Sequence, residues 1–198
     1  MIPVNQPLIA NNASKYVLDC LKTGWISSAG KYIQEFEEKF ADFCECKYGV
    51  SCTNGTAAIH LALATLGISK GDEVIIPTLT MAATAFAVVY TGAQPVLVDC
   101  VEDTYNIDPK LIESKITVKT KAILPVHLYG HAADMDPILK LAKKYKLFVV
   151  EDAAEIHGGR YKNKMAGSLG DIGCFSFYGN KIVTTGEGGM IVTNDKKL

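Results

Sequence analysis

The feature that most constrains this chain is a regular alternation of short β-rich runs with segments of helical periodicity. The runs YGVSC, EVIIP, PVLVD, KAILPVHL, LFVVED, CFSFY and MIVT read as strands. Between them, Asn11 to Lys22, Gln34 to Phe43, Thr56 to Leu66, Met81 to Tyr90 and Met135 to Tyr145 carry apolar residues at helical spacing. Gly67 stops the third helix, and Pro137 falls in the first turn of the last, where proline is tolerated. EVIIP and LFVVE are apolar along their length, as strands of a parallel sheet buried on both faces should be. The pattern predicts an α/β fold, a mainly parallel seven-stranded sheet flanked by helices. No internal repeat, low-complexity tract or long linker interrupts it. GEGGMIVTNDKKL ends just after a strand and a turn, with no following helix to cover that strand. The expectation is a front part of a longer chain; a natural end on an edge strand is the alternative.

Composition removes several function classes. With 48% apolar residues, the 198-residue chain can bury a large core and is not intrinsically disordered. Lys and Arg number 20 against 21 Asp and Glu, which leaves no basic excess for nucleic acid. No apolar run approaches the roughly 20 residues that span a bilayer, and MIPVNQPLIANN lacks the regions of a signal peptide. Membrane and nucleic-acid partners are therefore not expected. The six cysteines, Cys20, Cys44, Cys46, Cys52, Cys100 and Cys174, are scattered and show no zinc spacing. They read as reduced structural thiols of a cytoplasmic protein. A metal site is not expected either, because Asp152, Glu151 and His157 make too small a ligand set.

In an open α/β sheet, ligands bind at the carboxyl ends of the strands. After the first core strand, Thr53-Asn54-Gly55-Thr56 opens a helix. Free N–H groups, the helix dipole and a hydroxyl there make an anion site, with simple capping as the alternative. After LFVV come Glu151 and Asp152; a carboxylate at this place suits a cationic ring nitrogen, or else caps the next segment. Lys181 follows the strand CFSFY among Gly179, Asn180, Thr184, Thr185 and Gly186. A lysine so placed suits Schiff-base chemistry; an exposed loop lysine is the alternative. An anion site, a ring-nitrogen carboxylate and a lysine are the three anchors that pyridoxal phosphate requires.

TNGTAAIHLAL, GDEVIIPTLT, GAQPVLVD, ILPVHLYGHAADMD, VVEDAAEIHGG and FSFYGNKIVTTGEGGMIVTND occur in this order. Together with TGWISSAGKYIQEFE they resemble the sugar aminotransferases of the DegT/DnrJ/EryC1/StrS family over essentially the whole chain. The resemblance implies most of the large domain of a fold-type I pyridoxal-phosphate transferase, preceded by an N-terminal arm, with residues 1–198 lacking the family's C-terminal small domain. It implies Lys181 as the cofactor-linked catalytic lysine and Asp152 against the pyridine nitrogen. Gly55, Thr56, the backbone at Ala57 and Ser176 are implied for the phosphate, and Glu155 for the neighbourhood of the ring hydroxyl. Met81 stands where the family usually stacks an aromatic residue on the ring. Trp25 and Ser27 of TGWISS are implied near the substrate and a dimer partner, although Trp25 also reads as a buried aromatic packing the arm. His127 and Tyr129 face the substrate or else pack a core turn.

The motifs TGWISS, LPVHLYGH and FSFYGNK point to the perosamine-forming branch, which moves an amino group from L-glutamate to C4 of a nucleotide-linked 4-keto-6-deoxyhexose. That branch implies a cytoplasmic homodimer with a shared active site, serving surface-polysaccharide synthesis such as that of an O-antigen. Other nucleotides and C3 amination remain open. A non-catalytic fragment acting as a binding module is the alternative of another class. A nicotinamide oxidoreductase is disfavoured because no G-x-G-x-x-G follows a strand.

Overall fold

The computed structural model describes residue 2, residues 6–10 and residues 12–198. Helices α1 (Ala13–Thr23) and α2 (Lys31–Phe43) precede β1 (Tyr48–Cys52) and α3 (Gly55–Thr65). Then β2 (Glu73–Pro77), α4 (Ala82–Tyr90), β3 (Gln94–Val98), α5 (Pro109–Ile112) and β4 (Thr120–Ile123) follow. The remainder is α6 (Met135–Tyr145), β5 (Phe148–Asp152), a hairpin of β6 (Arg160–Tyr161) and β7 (Lys164–Met165), then β8 (Ile172–Ser176) and β9 (Gly189–Thr193). Seven strands form one sheet in the order β1-β9-β8-β5-β4-β2-β3. β9 runs antiparallel to both of its neighbours, and the other pairings are parallel.

The sheet has the mainly parallel, seven-stranded form that the apolar runs predict. Its strands alternate between two packed faces, as a period of two requires. Val74, Ile76, Ala122, Leu124 and Val150 meet Ala58, Ala62 and Leu63 of α3 and Ala87 and Val88 of α4. Ile75, Ile123 and Val149 meet Ile112 of α5 and Met135, Ile138 and Ala142 of α6. Phe40 of α2 packs edge-on against Phe175 and Phe177 near β8.

Several boundaries differ from the sequence reading for identifiable reasons. The run KAILPVHL is strand only as far as Ile123, because Pro125 has no N–H to give the ladder. The Asn11 end of the first predicted helix lies outside the described residues. CFSFY forms strand as far as Ser176, and Phe177 and Tyr178 lead away from it. The last strand is neither bare nor at an edge. β9 is buried along its whole length between β1 and β8, and α2 and α3, which come much earlier in the chain, lie against it. The short helix α5, capped by the Asp108 carboxylate with proline at its start, and the β6–β7 hairpin were not expected. The cysteines are free; burial pushes the Cys46 thiol up to about 11 and Cys174 well above the ordinary value. Among the described residues no helix is long and apolar enough to cross a membrane.

The sheet's carboxyl edge is fixed by one buried carboxylate. Glu151 has no solvent exposure. Its Oε2 accepts from His127 Nε2 at 2.8 Å and from Gly167 N–H at 2.8 Å, and its Oε1 accepts from Leu169 and Gly170 N–H, both at 2.7 Å. His127 Nδ1 accepts from Ala133 N–H at 3.1 Å, so the ring proton is on Nε2 and points at Glu151. Four donors and no acceptor surround the carboxylate, which offsets the large cost of burying it. Glu151→Gln turns one oxygen into a donor facing two N–H groups. It is expected to destabilise the chain by about 3–5 kcal/mol, the range for a broken buried charge network. Chemical denaturation checks this, and a change below about 1 kcal/mol contradicts the assignment.

Candidate active site

A cavity of about 360 Å³ opens at the carboxyl ends of β5 and β8, against the N-terminus of α3. Asn54, Gly55, Thr56, Met81, Asp152, Glu155, Ser176 and Lys181 line it, together with Thr80, Tyr178, Asn180 and Glu187. Sequence-predicted residues more than 120 positions apart thus converge on one place.

The α3 end is built for an anion. Asn54 caps the helix, its Oδ1 accepting from Ala57 N–H at 2.9 Å. Among the described residues nothing accepts from the N–H groups of Gly55 and Thr56, which lie at the positive end of the helix dipole. The Ala57 N–H is engaged by the Asn54 cap, which leaves Gly55 and Thr56 as the open donors at this helix end. Gly55 is required by contact, since a Cβ there would lie 2.7 Å from Ser176 Cβ and 3.2 Å from its Oγ. The absent side chain brings the helix end and the Ser176 hydroxyl together around one small space.

Asp152 is almost fully buried at the end of β5. Its Oδ2 accepts from Thr84 Oγ1 at 2.8 Å and its Oδ1 from Ala154 N–H at 3.2 Å. Burial pushes its carboxyl above the ordinary value, against the Thr84 and Ala154 donors and the more distant Lys181 charge. A cationic partner in the cavity would lower it again. Lys181 Nζ stands 3.3 Å from Glu155 Oε1, both side chains largely buried. The other Glu155 oxygen accepts from Tyr129 N–H at 3.0 Å.

Four predicted residues stay out of the cavity. Trp25 and Ser27 line a separate depression beside the α1–α2 turn, and Trp25, 58% exposed, is not the buried aromatic that the sequence suggested. The His127 ring lies wholly inside the protein with both nitrogens engaged, so it cannot meet a substrate directly. Tyr129 is 83% exposed and outside the lining; its backbone N–H serves the site. Thr84, Glu187 and Asn106 were missed. Thr84 sits in the apolar helix α4, wholly buried, where its hydroxyl reaches Asp152 from behind the cavity lining.

The fold is similar to that of solved aminotransferases. The aminotransferase of Psychrobacter cryohalolentis superposes with a TM-score of 0.94 at 41% identity, covering 98% of this chain and 50% of that one. The PLP-form of the Streptococcus pneumoniae sugar aminotransferase Spr1654 superposes with a TM-score of 0.94 at 33% identity, covering 100% of this chain and 54% of that one. Residues 7–198 match the DegT/DnrJ/EryC1/StrS aminotransferase family, and the chain belongs to that family. The GDP-perosamine synthase of Caulobacter vibrioides is 56% identical over 197 residues, covering 100% of this chain and 53% of that protein. The chain therefore spans about half the length of the curated relatives it matches.

Behind the cavity, His157 is buried among Phe40, Phe175 and Phe177. Neither ring nitrogen has a well-aligned hydrogen-bond partner. Burial pushes its pKa down to about 4; the Ser176 backbone works against the shift and the Lys181 charge with it. The unfolded imidazole takes a proton below about 6.5, whereas the folded one stays neutral to about 4. The resulting stability is complete above the unfolded value and falls as pH drops through this window. Between pH 7 and 4.5 the loss from this group is about 2–3 kcal/mol. His157→Leu is expected to narrow the pH dependence by that amount in urea denaturation; parallel curves for the two proteins contradict it.

Proposed function

We propose that this chain is the cofactor-holding part of a pyridoxal-phosphate aminotransferase. It would transfer an amino group from L-glutamate to C4 of a GDP-linked 4-keto-6-deoxyhexose. The observation that carries the reading is the convergence on one cavity of a helix N-terminus and a buried carboxylate, neither paired with a charge among the described residues, and a lysine. The 56% identity to a GDP-perosamine synthase supports the sugar and the nucleotide. Residues 1–198 would serve as the N-terminal arm and most of the large domain.

The cavity fits the cofactor. The Gly55–Ser176 approach leaves a cradle that any Cβ at position 55 would fill. Gly55 and Thr56 N–H with the Ser176 hydroxyl would hold the phosphate, and Asp152 the ring nitrogen. Met81, at the mouth of the cavity, would pack its thioether on the ring. When bound, pyridoxal phosphate supplies an aldehyde and an electron-accepting ring. Asp152, fixed by Thr84, would keep a proton on the ring nitrogen by its negative charge. Lys181 Nζ would hold the cofactor's aldehyde end, and as a free amine it would carry a proton as general base and then as general acid. Glu155 keeps that nitrogen within reach between the two roles.

A homodimer in the cytoplasm, supplying amino sugar for a surface polysaccharide such as an O-antigen, completes the proposal. The first helix supports the dimer: α1 buries none of its residues and exposes Tyr16, Val17, Leu18 and Leu21.

The test is 2-oxoglutarate formation from L-glutamate with pyridoxal phosphate and GDP-4-keto-6-deoxymannose. Lys181→Ala is expected to lower the rate by roughly 10²–10⁴-fold, the usual share of a positioned acid–base group. Asp152→Asn is expected to lower it by about 10²-fold, as a lost charge-stabilising group does. A Lys181→Ala protein that transaminates at the wild-type rate overturns the function.

A further inference from the structure

The turn after β4 is held by buried side chains that no step of the proposed reaction uses. Tyr129 adopts φ 49° and ψ 36°, and Gly130 follows at φ 83°. Left-handed backbone at a tyrosine is strained and persists only where the surroundings over-determine it. Here they do so from two sides. Asn106, 3% exposed, accepts from Leu128 N–H through Oδ1 at 3.1 Å and donates from Nδ2 to the His131 carbonyl at 3.0 Å. His127 accepts from Ala133 N–H, and its ring is itself anchored on Glu151. These bonds bracket residues 128–133 from both ends.

The bracketed turn lines the cavity with Leu128 and gives Glu155 a backbone donor, the Tyr129 N–H at 3.0 Å from its Oε2. That bond commits one Glu155 oxygen and leaves Oε1 for Lys181 Nζ. We propose that Asn106 and the His127–Glu151 pair are positioning residues, which fix Glu155 and through it Lys181 by way of the strained turn. The inference rests on the aminotransferase reading for its purpose, though not for its test. None of the three touches the cavity. A carboxylate held by a rigid backbone donor has one orientation to offer. One released from that donor has several rotamers and leaves the lysine unpaired.

The experiment is competitive acetylation of the cofactor-free full chain with limiting acetic anhydride. Lys181 is quantified by peptide mass against exposed lysines of the same digest. Glu155→Gln is expected to raise Lys181 labelling roughly threefold, the scale of a lost ion pair that is partly buried. Asn106→Ala is expected to give most of that rise and to add nothing in the Glu155→Gln background. Asn106→Asp keeps the acceptor for Leu128 and loses the donor to His131, so it is expected to give a smaller rise, and it decides the matter if the alanine variant does not fold. A purely structural role for Asn106 would lower the melting temperature and leave Lys181 labelling unchanged. That result overturns the proposal, as does a full additional factor in the double variant. Acetylation needs no cofactor, so a chain that fails to transaminate overturns the function and leaves the clamp result standing.

Discussion

Two adjacent carboxylates end the central strand β5, and the pleat sends them to opposite faces of the sheet. Glu151 goes to the side of the 167–170 turn and His127, where four donors take all of its accepting capacity. Asp152 goes to the α4 side, where Thr84 and Ala154 satisfy it only in part. The first is a closed polar knot, and the second is left with a charge to share. Shifting the strand by one residue would exchange them, placing the unsatisfied carboxylate against backbone donors and the structural one in the cavity. The register of β5, fixed by pairing with β8 and β4, therefore decides where chemistry can occur.

The same knot carries the neighbouring parts of the site. It ties the segment entering β8, and so Ser176 at that strand's end, to the strand that ends in Asp152. Through His127 it also ties down the turn that presents Tyr129 N–H to Glu155. The cavity lining has three carboxylates, Asp152, Glu155 and Glu187, and one cation, Lys181. In that setting an anion has one favourable end, the N-terminus of α3, and a cationic ring has the other, at Asp152. The arrangement orients a molecule that is negative at one end and positive at the other.

Much of this is legible in the sequence because it is local. Apolar runs such as EVIIP report strands buried on both faces, and the Asn54-Gly55 start reports a helix end. Asp152 ends β5 and Lys181 stands in the turn beyond β8, at the strand ends where sheet topology puts ligands. The residues that fix their geometry are not local. Thr84 and Asp152 are 68 positions apart, and Asn106 reaches Leu128 across 22. Such bonds leave no spacing to read, and Asn106 sits in a loop where asparagine is unremarkable. His127 shows the opposite failure. Its place after a strand suggested a substrate contact, and only the structure shows both of its nitrogens turned to the protein.

The central claim is that Lys181, at this cavity, is the lysine that pyridoxal phosphate modifies. Incubating the chain with the cofactor, reducing with borohydride and mapping the modified peptide tests it directly. The account predicts one dominant adduct, on the peptide that contains Lys181, at a cofactor concentration that leaves exposed lysines unmodified. Adducts spread over surface lysines, with Lys181 bare in a folded chain, would contradict it.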